Sequence, residues 1–355
     1  MRIETAHPKE LSSDDVALWR AHQAADPTLA SPYFSPEWAQ LIGAARDDAR
    51  VCVLQDGAGF FAVQRLSRFA AMGAGAPIAD YQGVVGLPGL PVDAAAICRA
   101  LKVGRIDLTH VPAGQALMRG AVAGGEGSWI AETFGARELY EAALKSRRSE
   151  FVRQTDKKQR KFEREYGPAE FRAVSSERAD FEALLAWKNA QLAQSGQPQI
   201  WATPWVRQTL DACFARRETR FGGALFTLKL DQKLVAAAFT LRGARALNLW
   251  LIAHDEAYNA YSPGVQLTRM IIGWAADNGL AEIDFGPGDY QYKRQLATTQ
   301  RLLERGAVAR PSWSGAVRRV EHMLRTQVER LPHRPLAALP GKAMRRLDLM
   351  RALTA

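Results

Sequence analysis

Three runs in the second half of the chain, GALFTLKL (223–230), KLVAAAFTL (233–241) and RALNLWLI (245–252), decide the fold. Each is short and mostly apolar, and the turns Asp231-Gln232 and Arg242-Gly243-Ala244 join them, so they predict an antiparallel meander. Residues 264–278 follow, with Val265, Leu267, Met270, Ile271 and Trp274 on one helical stripe and a stop at Asn278-Gly279. The run 281–285 (AEIDF) then reads as a fourth strand. Three antiparallel strands, a helix and a strand form a crossover unit, and ligands bind where the loops of such units open at the strands' C-terminal ends. The loop in question runs from His254 to Val265.

Upstream of this unit the chain alternates helices and strands. Residues 14–24 and 35–42 read as helices, 50–54 and 60–66 as a hairpin across Asp56-Gly57, 94–101 as a helix and 106–108 as a short strand. The Gly, Ala and Pro-rich stretch 72–91 and the run Gly124-Gly125-Glu126-Gly127 read as punctuation. A long basic helix over 139–166 stops at Gly167-Pro168, and a strand at 170–174 and helices at 179–194 and 205–216 lead into the meander. At 355 residues the chain exceeds one ordinary core. The expected division is 1–142, 143–310 and a tail, 311–355.

Hydrophobic residues make up 47% and charged residues 24%, an ordinary globular balance, and no stretch reaches the roughly 18 uncharged apolar residues of a membrane helix. The start, MRIETAHPKELSSDD, has acids early and no apolar run, so a cytoplasmic protein is expected. Cys52, Cys98 and Cys213 are far apart and lack metal spacing, which makes them buried small hydrophobes rather than disulfides or a zinc site. Lys and Arg number 47 against 37 Asp and Glu, a formal charge of +10 that favours polyanionic partners. The excess is concentrated: nine cations face four acids over 145–165, and nine face three over 316–355. There is no Walker loop, dinucleotide GxGxxG, HExxH or GxSxG.

Ser262-Pro263-Gly264 puts small residues at the start of the 264–278 helix, where free backbone N–H groups and the positive dipole end can cradle a pyrophosphate; an ordinary Ser-Pro cap reads the same way. Downstream, IDFGPGDYQYKR (283–294) packs ionisable groups into a Gly-Pro-Gly turn. The run from the meander through Ser262-Pro263-Gly264 to Asp284-Phe285, Gly288-Asp289 and Tyr292-Lys293 resembles the cellulose-biosynthesis acetyltransferases, the CelD/BcsL-like branch of the GNAT acyltransferases, relatives of the FemABX transferases. Tyr33-Phe34-Ser35-Pro36-Glu37-Trp38 and the basic helix support the resemblance, which covers about residues 34–297.

The resemblance implies an α/β (α+β) chain of tandem GNAT-like domains, the first degenerate, with mixed, mainly antiparallel sheets flanked by helices. It implies acetyl-CoA or another acyl-CoA as co-substrate, an amino-sugar amine in exopolysaccharide synthesis as acceptor, and no metal. The generic pyrophosphate loop of such enzymes, Gln/Arg-x-x-Gly-x-Gly/Ala, is replaced here by Asn259-Ala260-Tyr261-Ser262-Pro263-Gly264, in which proline removes a donor. Ser262, Gly264, Val265 and Gln266 are the candidate coenzyme contacts. Asp289, then His254, is the candidate base, with Tyr292 beside the acceptor or the leaving thiolate. Lys293, Tyr290 and Trp187 are candidate acceptor contacts. Capping for Asp289, a plain loop position for His254, packing for Tyr292 and a solvated cation for Lys293 are the structural alternatives.

Two other readings use the basic segments: an aminoacyl transferase taking charged tRNA on the 145–164 helix, and a non-catalytic effector that binds a cyclic dinucleotide. In the tail, Trp313, Val317, Val320, Met323, Leu324 and Val328 alternate with Arg318, Arg319, Arg325 and Arg330 at helical spacing. This basic amphipathic helix either packs on the transferase domain or lies on an anionic membrane surface.

Overall fold

The computed structural model describes residues 2–313, 315–317, 320, 321 and 353. In chain order the elements are β1 (Ile3–Ala6), α1 (Ser13–Ala25), α2 (Pro36–Ala45), β2 (Ala49–Leu54), β3 (Gly59–Gln64), β4 (Ala70–Gly73), β5 (Val85–Gly86), α3 (Ala94–Ala100), β6 (Arg105–Pro112) and β7 (Val122–Glu132). There follow α4 (Arg137–Tyr166), β8 (Glu170–Arg172), α5 (Arg178–Gln194), α6 (Pro204–Ala215), β9 (Phe221–Leu230), β10 (Lys233–Gly243), β11 (Ala246–His254), α7 (Pro263–Asp277), β12 (Glu282–Asp284), α8 (Gln291–Leu296) and β13 (Thr299–Ala309). Among the described residues the chain divides into two compact units, Met1–Glu126 with Leu302–Ala355, and Gly127–Arg301.

The two units repeat one pairing scheme. In the first, β1, β2, β3 and β4 pair antiparallel in turn, β4 pairs parallel with β6, and β6 pairs antiparallel with β13. In the second, β8, β9, β10 and β11 pair antiparallel in turn, β11 pairs parallel with β12, and β12 pairs antiparallel with β7. In each, a helix precedes the parallel strand in the chain: α3 before β6 and α7 before β12. The expected tandem of mixed, mainly antiparallel sheets flanked by helices is present.

Three elements depart from the sequence reading. The glycine run at 124–127 is strand, inside β7, because the missing side chains let backbone approach: a Cβ on Gly125 would stand 2.4 Å from the Leu303 carbonyl oxygen. Strand β13 was not anticipated either. With β7 and β13 in place the second unit spans Gly127–Arg301, whereas the sequence drew it from 143 to 310. The basic helix starts at Arg137 and is interrupted at Arg148, whose φ of −141° and ψ of 45° are non-helical. The amphipathic helix expected in the tail and its membrane contact fall mostly outside the described residues. No helix of the described residues is long and apolar enough to cross a membrane.

In the second unit α7 lays Leu267 and Ile271, both fully buried, against Phe226, Leu247 and Ile283, the stripe that its spacing predicted. Truncating either to Ala costs about 2–5 kcal/mol. On the opposite face of the sheet Phe181 of α5 stacks on Phe214 of α6 at 4.6 Å and meets Phe239 of β10 edge-on at 4.8 Å. Arg269 of α7 braces α4 on both sides of its break, pairing with Glu141 and Asp156 at 2.7 Å each. The three cysteines are free and buried, as their spacing implied. Burial pushes the Cys52 thiol up to about 12 and the Cys98 thiol to about 11.

Candidate active site

The parallel pairing of β11 with β12 is brief. It joins Ala246 to Glu282, Leu247 to Ile283 and Asn248 to Asp284, and then stops, while β11 runs on to His254. Beyond Asp284 the chain keeps to β7 instead: Phe285 N–H donates to the Trp129 carbonyl at 2.8 Å. Opposite, β11 slips register against β10, since Phe239 faces Leu251 and Thr240 faces Leu249, which leaves Trp250 as a bulge. Early loss of pairing and a bulge that bends the strand open a wedge between residues 249–254 and 285–287. An open parallel pair offers its C-terminal edge to a ligand.

The start of α7 lies at the mouth of that wedge. A Cβ built on Gly264 would meet only His254 Nδ1 at 3.6 Å and Ile252 at 3.7 Å, so space stands in front of it. Ser262 adopts a left-handed conformation, φ 53° and ψ 52°, and its side chain does not cap the helix. That conformation costs a non-glycine residue about 1 kcal/mol. Its hydroxyl instead accepts from the Lys158 ammonium at 2.8 Å. Proline at 263 has no N–H, Val265 and Gln266 N–H groups both donate to the Ser262 carbonyl, and Gly264 N–H makes no hydrogen bond among the described residues. The Gln266 side chain is buried and donates to the Tyr261 carbonyl. Ser262 and Gly264 therefore front the opening, while Val265 and Gln266 serve the helix itself.

Lys158 brings a second positive charge to the positive end of a 15-residue helix dipole. A helix N-terminus with a cation beside it favours anions. The loop before α7 is fastened to the same stretch of α4. Phe162 and Tyr166 meet Tyr258 and Tyr261 edge-on, at centroid distances of 5.3 to 5.7 Å. The Tyr261 hydroxyl donates to Glu165, and that carboxylate raises the phenol's pKa. Asp255 caps the short 3-10 helix Glu256–Tyr261 through Ala257 N–H and pairs with Lys233 at 3.1 Å; both hold its carboxyl below the usual range, the N–H more strongly.

The turn after β12 is built from buried polar bonds. Asp284 is fully enclosed, accepting from Ser128 Oγ at 2.6 Å and from Gly286 N–H at 2.8 Å, so the Asp-Phe-Gly signature shapes the turn. Lys293 is only 7% exposed and donates to the Gly286 and Pro287 carbonyls, at 3.3 and 2.7 Å. It clamps the turn through these two carbonyls, and it is a buried cation rather than the solvated one that the sequence also allowed. Asp289 is 71% exposed, caps no helix and pairs with Arg294. Tyr292 packs against Phe285, and Tyr290 stands exposed beside it. His254 bonds Asn259 Oδ1 at 2.6 Å and faces the Gly264 end. His254 thus makes its contacts at the helix start, and Asp289 and Tyr292 make theirs in and beside the Gly-Pro-Gly turn. Trp187 is half-buried on α5, on the opposite face of the sheet from α7.

Sequence reasoning missed Lys158 as an individual contact, its only signal being membership in the basic helix. It also missed the Trp250 bulge, which strand patterning cannot register.

Residues 149–294 match the family model described as an acetyltransferase (GNAT) domain. No curated protein matches the chain. Among solved structures FemX is similar over 86% of this chain and 96% of its own, at 12% identity and a TM-score of 0.55. A conserved protein of unknown function from Bacteroides thetaiotaomicron is similar over 87% and 100%, at 14% identity and a TM-score of 0.54. The domain described as the C-terminal domain of a lysylphosphatidylglycerol synthetase from Agrobacterium fabrum is similar over 86% and 95%, at 10% identity and a TM-score of 0.53. These likenesses concern the fold of both units. The wedge, the α7 start and the Gly-Pro-Gly turn all fall within residues 149–294, the stretch that matches the GNAT model.

Proposed function

We propose that this protein is an acyl-CoA-dependent N-acyltransferase that moves an acyl group, acetyl in the simplest case, onto the amine of an amino sugar. The observation that carries the reading is the Lys158 ammonium at the Ser262 hydroxyl, ahead of the open Gly264 N–H: a cation with no ion pair among the described residues, a helix dipole and a free donor. Such a cradle suits the coenzyme's pyrophosphate. His254, beside Gly264, then serves the phosphate end. The thioester lies further back along the wedge, about 13 Å away if it stands by Trp250, four residues before His254.

At that end the amine nitrogen attacks the thioester carbonyl carbon, a proton leaves the nitrogen for a base, and the carbon–sulfur bond breaks to release the thiolate. Backbone N–H groups along the opened strand stabilise the developing oxyanion, and holding both reactants in line supplies much of the acceleration. Asp289 is the proposed base, with Tyr292 as donor to the thiolate.

The deciding experiment is calorimetry of the full chain with acetyl-CoA and coenzyme A. Micromolar binding supports the reading, and no binding up to millimolar coenzyme overturns it. The second reading, transfer from aminoacyl-tRNA, draws on the exposed cations of α4, Arg153, Lys157, Arg160 and Arg164; tRNA binding without coenzyme binding would favour it.

A further inference from the structure

A pocket of about 280 Å³ opens in the second unit where α4 breaks, and three arginines line it: Arg147 and Arg148 from α4, and Arg294 from α8. Arg147 is anchored, donating from Nη1 to the Thr298 carbonyl at 2.7 Å, which leaves its other nitrogens to donate elsewhere. Arg148 makes no ion pair or hydrogen bond through its side chain among the described residues. Arg294 pairs with Asp289. One further carboxylate stands close, Glu132, and it accepts from the Thr298 hydroxyl. Three guanidinium groups against two carboxylates thus leave the pocket net positive among the described residues. Trp129 and Leu144 supply apolar wall.

We infer that this pocket holds the phosphate of a phosphorylated sugar; on the acyl-transfer reading above, on which this last step rests, that sugar is the acceptor. Guanidinium groups arriving from two helices suit a tetrahedral oxyanion with three terminal oxygens better than a flat carboxylate. The volume exceeds what a phosphate fills, and an indole is a suitable wall for the apolar face of a sugar ring. Two residues, Trp129 and Arg294, tie the pocket to the wedge. Trp129 exchanges backbone hydrogen bonds with Phe285 and Gly286, on the wedge's β12 side. Arg294 reaches from the pocket to Asp289, so a phosphate held here leaves the sugar's amine on the side of the proposed base.

The test is calorimetry on the full chain with glucosamine 6-phosphate, glucosamine, inorganic phosphate and coenzyme A. The inference expects the sugar phosphate to bind at least about tenfold more tightly than glucosamine, and inorganic phosphate to compete with it. Arg148→Ala and Arg147→Ala should each weaken the sugar phosphate by about tenfold, leaving coenzyme A affinity unchanged. Arg148 is exposed, so its variant keeps the fold, which a melting curve verifies. Equal affinity for glucosamine and its phosphate overturns the inference. So does sugar phosphate binding that survives both arginine substitutions, or that is lost instead in Lys158→Ala. A wild-type chain that binds the sugar phosphate through these arginines but not coenzyme A would overturn the acyl-transfer reading and leave the pocket's assignment standing.

Discussion

Lys158 and Ser262 are 104 residues apart in sequence, yet the ammonium of one stands 2.8 Å from the hydroxyl of the other. The bond joins the middle of α4 to the first residue ahead of α7, where the helix dipole is already positive. Charge of one sign therefore accumulates at the mouth of the β11–β12 wedge. The folded chain tolerates this because the ammonium remains hydrated, and an arriving phosphate would turn the repulsion into attraction.

Lys158→Ala should weaken coenzyme A binding by about tenfold, the worth of one charge-assisted hydrogen bond to a phosphate. Lys158→Glu should weaken it further. Neither should lower the melting temperature by more than a degree or two, since the side chain is exposed. Calorimetry and a thermal melt on the same samples check both halves; unchanged coenzyme affinity in Lys158→Glu would remove the phosphate from this helix start.

Gly264 separates space from charge. A Cβ there meets nothing nearer than 3.6 Å, so Gly264→Ala should fold as well as the parent, or slightly better, because alanine has less freedom to lose in a helix. Gly264→Asp adds a carboxylate that suits the helix dipole but repels a phosphate. It should keep or raise stability while weakening coenzyme A by tenfold or more. Weak binding in the alanine variant as well would mean that close backbone approach, rather than charge, governs the site.

His254 contacts the Gly264 helix start and Asp289 pairs with Arg294 beyond the Gly-Pro-Gly turn, so on the roles proposed for them their substitutions should separate kinetically. Asp289→Asn should lower kcat by about 10²–10⁴-fold with coenzyme affinity retained, if Asp289 takes the amine's proton. His254→Ala should raise KM for the acyl-CoA several-fold and spare kcat. The reverse pattern would move the base to the imidazole and the phosphates away from Gly264.

How much of this was legible in the sequence follows from the range of the interactions. The meander, α7 and its stripe were readable because turn residues and apolar spacing are local signals, as Asp231-Gln232 and Leu267 to Ile271 illustrate. Strand β7 was not: its glycines read as a break, and only the Leu303 carbonyl, far along the chain, explains why glycine is needed at 125. Within the site, Ser262 and Gly264 were visible as a helix start. That Lys293 is spent on the Gly286 and Pro287 carbonyls, or that Asp284 is enclosed against Ser128, depends on contacts that residue type cannot specify. The departure from the generic pyrophosphate loop has a partial counterpart in the fold: where proline removes one N–H at 263, Lys158 adds a cation from another helix.

Asp255 links the stability of the coenzyme loop to pH. Its carboxyl is held low first by Ala257 N–H and then by Lys233, so the folded state binds its proton more weakly than the unfolded chain does. The stabilisation it gives is therefore fully present above the unfolded value, about 3.9, and is lost as pH falls through the lower folded value. Asp255→Ala removes cap and charge together and should cost about 1 kcal/mol at pH 7, a gap that closes as the pH is lowered below about 4. Asp255→Asn keeps an acceptor for Ala257 N–H, since asparagine caps as well as aspartate, and gives up only the pairing with Lys233. It should fall between the parent and Asp255→Ala at pH 7, and its stability should lose the pH-dependence that Asp255 contributes below about pH 4. Thermal melts of the three proteins from pH 7 to pH 3 provide the check; a gap between parent and Asp255→Ala that is the same at pH 3 as at pH 7 would show that the carboxylate's charge contributes nothing to holding the loop.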